Sequence, residues 1–274
     1  MRTVTRWHHT LVVLVAVIAG ATMVPVVWAA FSAFKNDTEI FGEPLGLPGH
    51  WRWENFRTVW TSGDFSTYFV NSAVIAIAVT ALTVAVTCPA GYAFGKLTTG
   101  RSNGIFYAYL LVMTLPGEAI MVPTFYQLRE MSLVDSRVGL GLILVAGAVP
   151  LGVFIARNFF RDLPNELIES ARVDGAGDWR IFRSVMLPLA KPAVLAVGVF
   201  SFLGAWNEYQ LALLLLFSQE KRTIPLGLVQ FQGQYSADSG ALFAGIVLAM
   251  IPSILVYVVL QRSFTRGLVA GALR

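Results

Sequence analysis

The stretch ESARVDGAGDWRIFRSVMLP, at residues 169–188, carries three acids, three arginines and two glycines. On both sides of it the chain is almost purely apolar for about 20 residues or more. A long polar segment between two apolar ones indicates a loop that leaves a membrane and contacts a partner in water. The apolar stretches around this segment indicate the fold, and the partner that the segment contacts would indicate the function.

The composition predicts a membrane protein. Apolar residues make up 56% of the 274 residues and charged residues only 13%, whereas an average soluble domain has about 25% charged residues. The single cysteine, Cys88, excludes an intrachain disulfide and a cysteine-based metal site. The three histidines lie outside the apolar stretches, so no metal site is predicted. A formal charge of +4 is too small to indicate nucleic-acid binding.

Six apolar stretches are long enough to cross a bilayer core, which needs about 20 residues of helix. They lie at about 11–34, 68–94, 104–125, 138–157, 191–216 and 241–261. The first is too long for a signal-peptide core and lacks a clean cleavage site, so an uncleaved span is favoured over a signal peptide. We therefore expect an all-α polytopic protein, with one transmembrane domain over residues 1–274 and a polar loop at about 161–190.

The distribution of positive charge predicts the orientation. With six spans both termini lie on one side, together with the loop around Lys96 and Arg101 and the segment 157–191. Most of the 20 lysines and arginines fall on that side. Because basic loops stay in the cytoplasm, both termini and the polar loop are predicted to be cytoplasmic. On the other side WRWENFRTVW, residues 51–60, reads as an interfacial aromatic layer.

Two stretches place an acid at membrane depth. Glu118 lies in LPGEAIMVP (115–123), where prolines and a glycine break or kink a helix, and Glu208 lies in AWNEYQ (205–210). Ionisable groups in a membrane usually face a protein interior or a water-filled path. One hypothesis is therefore a translocation path lined by Glu118, Trp206, Asn207, Glu208 and Tyr209. The alternative is that Glu208 pairs with a nearby base at an interface, and that the aromatic residues are interfacial.

The polar loop reads locally as two short helices. Asp162 is predicted to cap the first, Gly175 to end it and Asp178 to cap the second. Phe182 and Met186 are predicted to share a face with Trp179. We call this predicted helix–turn–helix, residues 161–190, the knob.

The knob has two possible neighbours. An amphipathic linker on anionic lipid is one interpretation, but five acids lie dispersed among the six bases of the segment 157–191. A lipid-binding face would avoid those acids. Insertion into a groove of a soluble partner is therefore favoured.

The knob resembles the EAA loop of bacterial ABC importer permeases. The matching residues are Glu169, Ser170, Ala171, Asp174, Gly175, Ala176, Phe182, Leu187 and Pro188. Ser170 stands where that family usually has alanine. Other stretches are similar to its maltose-type, carbohydrate-uptake branch, among them Glu54–Phe56, Asn71–Ser72, Trp206–Glu208 and the tail at 261–272.

The resemblance implies a permease subunit in the bacterial inner membrane that carries sugar. It implies a second, non-identical permease, a dimer of cytoplasmic ATPases that hydrolyse ATP with magnesium, and an extracytoplasmic sugar-binding protein. It also implies that Glu169 to Gly175 form the coupling helix and that the tail touches the ATPases. This chain would then bind no cofactor itself.

The residues themselves reveal no energy source or catalytic set. GYAFGKL, residues 91–97, has the wrong glycine spacing for a phosphate loop and lacks the Ser or Thr after its lysine. Gly91 and Gly95 are better explained as a small-xxx-small packing pair. A second hypothesis is a secondary transporter working on an ion gradient, but it would give the knob no function. A third is a membrane enzyme or assembly scaffold, for which the sequence shows no catalytic set. The chain is predicted not to be an enzyme.

Overall fold

The computed structural model describes residues 2–62, 64–97, 101–229 and 238–272, with side chains described for 11–61, 64–97, 101–229 and 238–259. All regular structure within these residues is helical, as the sequence predicts. The α-helices are α1 (Arg2–Ser32), α2 (Asp37–Gly42), α3 (Glu54–Ser62), α4 (Phe65–Lys96), α5 (Ser102–Leu110), α6 (Gly117–Glu130), α7 (Arg137–Asp162), α8 (Glu166–Val173), α9 (Asp178–Ile181), α10 (Leu187–Leu189), α11 (Lys191–Trp206), α12 (Gln210–Leu215), α13 (Ile224–Leu228) and α14 (Ser239–Ala272).

Among the described residues, four helical stretches are long and apolar enough to cross a membrane unbroken. They are Leu11–Ser32, Phe65–Lys96, Arg137–Asp162 and Ser239–Val259. Two further candidates are broken. Ser102–Thr114 and Gly117–Glu130 meet at 94°, and Asp178–Leu189 and Lys191–Trp206 meet at 78°. The count reaches the predicted six only if each bent pair forms one span.

The break before α6 confirms the interruption predicted at residues 116–123. A 3₁₀ turn, Leu111–Thr114, ends the first half, and Leu115 is extended with φ −75° and ψ 128°. Proline disfavours the helical conformation of the residue before it, so Leu115 cannot continue the turn into Pro116. Glu118 is thereby placed in the first turn of α6.

The predicted span at 191–216 is not one straight helix. Helix α11 has 16 residues, or about 24 Å of rise, and ends at Trp206. The chain turns at residues 207–209 and resumes as the short helix α12. The structure thus places a bend at Asn207, Glu208 and Tyr209, where the sequence predicted continuous helix.

Contacts divide the chain into two compact units. The first comprises residues 1–66 and 227–251. In it the buried Asn55 amide donates to the carbonyl oxygens of Ala33 and Lys35 at 2.9 and 3.0 Å, and the Phe34 ring packs against Trp51 and Trp53. Trp51 and Trp53 stay more than half exposed, as an interfacial aromatic layer requires.

The second unit comprises residues 67–226 and 252–274, and α7 packs in it against α11. Helices α4 and α7 approach closely at glycines. A Cβ at Gly91 would collide with Ala156, and one at Gly95 would lie 3.0 Å from the Arg157 carbonyl oxygen. A Cβ at Gly152 would lie 2.6 Å from the Thr87 methyl group. The small-xxx-small interpretation of Gly91 and Gly95 is confirmed.

Arg157 lies inside this unit and not in the polar loop where the sequence analysis counted it. The residue is 5% exposed. Its guanidinium donates to the Phe94 carbonyl at 3.3 Å and to Asn103 Oδ1 at 2.8 Å, and it lies 3.9 Å from the centre of the Phe106 ring. These contacts compensate a buried cation and join α4, α5 and α7.

Candidate functional site

The knob ends its first helix in a Schellman motif at Gly175. Gly175 has φ +78°, its amide donates to Arg172 O at 3.0 Å, and the Ala176 amide donates to Ala171 O at 3.0 Å. Glycine adopts this left-handed conformation without a Cβ penalty. The prediction that Gly175 ends the helix is confirmed.

Both predicted caps of the knob are wrong. Asp162 is the last residue of α7, and the residue before α8 is Asn165, which makes no side-chain cap bond. Pro164 holds Leu163 extended, so one helix must end before it and the next begin after it. Asp178 lies inside α9 as its first residue, after Gly177, and its carboxylate accepts from Arg172 Nη2 at 3.0 Å.

One face of the knob is packed into the second unit. The buried knob residues are Ile168, Ile181, Phe182, Met186 and Ala190, and they form one cluster with Cys88 and Tyr92 of α4 and with Ala156 and Phe160 of α7. Phe182 and Met186 share this face, as predicted. Trp179 is 66% exposed, but its ring centre lies 5.3 Å from that of Phe182, so Trp179 lies at the exposed edge of the same face. The π-helical turn Phe182–Met186 directs both Phe182 and Met186 inwards.

The nine residues of the EAA resemblance divide between this buried face and the surface. Phe182 is buried, and three are partly buried, namely Ala171, Ala176 and Leu187. The exposed ones are Glu169, Ser170, Asp174, Gly175 and Pro188. Beside them lie two exposed apolar side chains that the motif did not single out, Val173 at 88% and Trp179 at 66%. Two apolar residues in an otherwise polar loop are the sequence feature that could have identified them as surface contact residues.

A lysine at the end of α4 binds the C-terminus of α7 and the start of the knob. Lys96 Nζ donates to the carbonyl oxygens of Arg161 and Leu163, at 3.2 and 2.5 Å, and to Asn165 Oδ1 at 2.6 Å. Two of these acceptors are carbonyls at the C-terminus of α7, where a cation is favoured by the helix dipole. Sequence reasoning placed Lys96 in a short loop and missed this role, since its partners lie more than 60 residues away.

A second feature of the same unit is a cavity of about 680 Å³. It is lined by Glu118 and Glu208 together with apolar residues of α6, α7 and α11; we call it the glutamate cavity. Its volume lies within the range of about 300–1,000 Å³ usual for small-molecule sites. Glu208 is held at the bend, where Oε1 accepts from the Leu211 amide at 2.8 Å.

The other predicted path residues do not line this cavity. Trp206 is 3% exposed and packs against Phe69 and Phe202, so its ring is not presented to a sugar. The Asn207 amide donates back to Leu203 O at 2.9 Å. Tyr209 precedes α12 as its N-cap residue. Gln210, the last residue of the predicted stretch AWNEYQ, does line the cavity, and sequence reasoning missed two further polar residues of the lining, Thr124 and Ser201.

On another surface of the second unit, a loop at residues 216–224 is fastened by three side chains. Asp135 accepts from the amides of Phe217 and Ser218, both at 2.9 Å, and from Lys221 Nζ at 2.8 Å. Asn71 donates to the carbonyls of Glu220 and Arg222, and the Ile224 amide donates to Ser72 Oγ. The Asn71–Ser72 pair of the resemblance therefore has a structural task in holding this loop.

Long apolar helices, two of them broken, define this chain as a multi-pass membrane permease in fold. Residues 88–269 match the family described as binding-protein-dependent transport system inner membrane components. The chain belongs to that family, and it is a transport permease of the inner membrane and not an enzyme.

Individual relatives extend over nearly the whole chain. The diacetylchitobiose uptake system permease protein NgcG of Streptomyces coelicolor is 38% identical, over 97% of this chain and 88% of that protein. The sn-glycerol-3-phosphate transport system permease protein UgpE of Yersinia enterocolitica is 32% identical, over 93% and 94%. A solved bacterial ABC transporter that imports the acidic polysaccharide alginate has the same fold, with a TM-score of 0.83, 22% identity and coverage of 96% and 98%.

Proposed function

We propose that this chain is one permease subunit of an ATP-driven sugar importer and that the knob couples it to the ATPases. The importer would contain a second, non-identical permease, a dimer of cytoplasmic ATPases that hydrolyse ATP with magnesium, and an extracytoplasmic sugar-binding protein. Membrane lipid surrounds the apolar helices, and both termini lie in the cytoplasm. The diacetylchitobiose relative, at 38% identity, supports a carbohydrate as the substrate.

The observation that carries the coupling role is the two-sided construction of the knob. Its inner face is anchored by Ile168, Phe182 and Met186, while Val173 and Trp179 remain exposed on its outer surface. Exposed apolar side chains in a polar segment indicate a protein contact. A knob fixed on one side and docked on the other transmits displacement of its partner to α4 and α7.

The EAA residues then have two tasks. Glu169, Ser170, Asp174 and Gly175 form the surface that meets the ATPase, with Val173 between them. Ala171, Ala176, Phe182, Leu187 and Pro188 give the knob its shape and its attachment. When the ATPases close on ATP, the knob moves with the surface that holds it and the helices rock to switch access.

The path proposal centres on the glutamate cavity. Glu118 and Glu208 face the solute, and Trp206, Asn207 and Tyr209 shape the bend that holds Glu208 in place. A cavity at a broken helix is a usual site for a transported solute, because irregular backbone at membrane depth is tolerated where it lines a polar space.

The coupling role is tested with two exposed glycines of the knob that differ in backbone conformation. At Gly175 and at Gly177 an added Cβ meets open space, but Gly175 has φ +78° and Gly177 has φ −75°. Gly175→Ala strains the turn by about 1–2 kcal/mol, so uptake of radiolabelled diacetylchitobiose should fall about tenfold. Glu169→Lys should also uncouple uptake. Both variants should reach the membrane in normal amounts.

Gly177→Ala is the matched control and should transport like the parent. ATPase co-purification is measured in parallel, because loss of docking predicts that it falls with uptake. Full uptake by both Gly175→Ala and Glu169→Lys contradicts the coupling role of the knob.

A further inference from the structure

The charge of the glutamate cavity is of one sign. Among the described residues that line it, the two ionisable side chains are Glu118 and Glu208, and no lysine, arginine or histidine is present. Neither carboxylate has an ion-pair partner within the described part of the chain. The sequence-based alternative, in which Glu208 pairs with a nearby base, is therefore not supported by these contacts.

Glu208 accepts a hydrogen bond from the Leu211 amide. Glu118 lies in the first turn of α6. Helix N-termini stabilise anions through their free amides and the helix dipole. The remaining lining is apolar apart from hydroxyls and an amide, at Thr124, Ser201 and Gln210. Such groups can hydrogen-bond sugar hydroxyls but do not offset negative charge.

We propose that the glutamate cavity selects against anionic solutes, so that the importer carries neutral or cationic carbohydrates and rejects phosphate esters and uronates. This inference rests on the proposed function as a sugar importer. Two carboxylates that line one mostly apolar cavity repel a third anion, because Coulomb interactions are weakened less beside apolar walls than in bulk water. The relatives differ in the charge of the solute for which they are named, since diacetylchitobiose is neutral and sn-glycerol-3-phosphate is an anion.

The test measures the cavity's charge without a transported substrate. Gly147 lines the cavity on α7, and a Cβ there meets nothing within 4 Å. A Gly147→Cys reporter in the full transporter is treated with two methanethiosulfonate reagents, the cationic trimethylammonium-ethyl and the anionic sulfonatoethyl form. Their rate ratio is normalised to that of a free thiol. Cys88 is buried, and the parent without the reporter supplies its background.

The cationic reagent should react with the reporter about tenfold faster than the anionic one. In the double variant Glu118→Gln/Glu208→Gln, which keeps the side-chain shape, the normalised ratio should fall to about 1. The exposed Glu130→Gln removes a charge from α6 outside the cavity lining and should leave the ratio unchanged. The difference between parent and double variant isolates this chain from charges on the second permease.

A normalised ratio near 1 with both glutamates present overturns the inference, and so does import of sn-glycerol-3-phosphate or a uronate oligosaccharide by the parent transporter. Import of a neutral disaccharide with a high ratio supports it. The two proposals fail separately. An importer that carries no sugar but keeps the high ratio contradicts the proposed function, whereas sugar import with a ratio near 1 contradicts the selection by charge.

Discussion

Asp135 shows how one side chain fixes a loop. It has φ +52° and accepts from two backbone amides, from Ser218 Oγ and from Lys221 Nζ. Burial by itself would raise the pKa of this carboxyl, but the hydrogen bonds from Lys221 and Ser218 and from the Phe217 amide outweigh it and hold the pKa of Asp135 well below its ordinary value. The folded state therefore favours the ionised form.

Asp135→Asn should lower the free energy of unfolding at pH 7 by about 2 kcal/mol, because charged hydrogen bonds become neutral or are lost. Asparagine tolerates the same positive φ, so the backbone is not the cause. A carboxyl with a depressed pKa stabilises the fold above its unfolded value of about 3.9, and that contribution is lost as the pH falls below it. Thermal unfolding in detergent at pH 7 and at successively lower pH should show the difference between parent and variant shrinking. A constant difference contradicts the assignment, and the exposed Glu130→Gln serves as control.

At the scale of elements, the attachment of the knob depends on the ends of α4 and α7. Lys96 is the last residue of α4, and its amine bonds the final carbonyls of α7 and the Asn165 side chain before α8. The glycine seam at Gly91 and Gly95 sets how close α4 and α7 lie. Three helices are therefore joined at one point, where a displacement of the knob enters the bundle.

Lys96→Met should weaken this attachment by about 1–2 kcal/mol through the loss of three donated bonds. The importer should still hydrolyse ATP, but the sugar transported per ATP should fall, because the knob then moves without α4. Lys96→Arg retains the donors and is expected to recover most of the coupling. Sugar uptake and ATP hydrolysis are measured together in proteoliposomes, and an unchanged ratio in Lys96→Met contradicts the role of this attachment.

At the scale of the whole molecule, the orientation of the chain decides which partners each surface can meet. The positive-inside rule predicts that the knob faces the cytoplasm, with the ATPases, and that the segment between α1 and α4 faces outwards. The proposed coupling requires this orientation, since ATP is hydrolysed in the cytoplasm.

Two introduced cysteines test the orientation. Gly42 and Gly177 are both exposed, and a side chain at either meets no atom within 4 Å. In right-side-out vesicles a membrane-impermeant maleimide should label Gly42→Cys but not Gly177→Cys, and in inverted vesicles the preference should reverse. The buried Cys88 contributes little background. Labelling of Gly177→Cys from the outside contradicts the predicted topology.

Properties that depend on local sequence were predictable. The all-helical membrane fold follows from apolar runs of span length, the break before α6 from Pro116, and the end of α8 from Gly175. The family follows from a long motif whose residues lie within one stretch of 20 residues, 169–188. The two wrong caps, Asp162 and Asp178, are one or a few residues from the actual helix starts, because several polar residues near Pro164 and Gly177 satisfied the same local rule.

Properties that depend on distant neighbours were decided only by the tertiary structure. Trp206 carried the same signal as an interfacial or sugar-stacking aromatic, and its packing against Phe69 and Phe202 assigns it to the interior. The sequence predicted Lys96 and Arg157 as loop charges, because their hydrogen-bond partners lie far away in the chain. The sequence by itself determined which segments are helical and which family they form, because helix length, breaks and motifs are local. The tertiary structure decided which residues share a cavity, a cap or a buried cluster, because contacts between helices depend on how they cross.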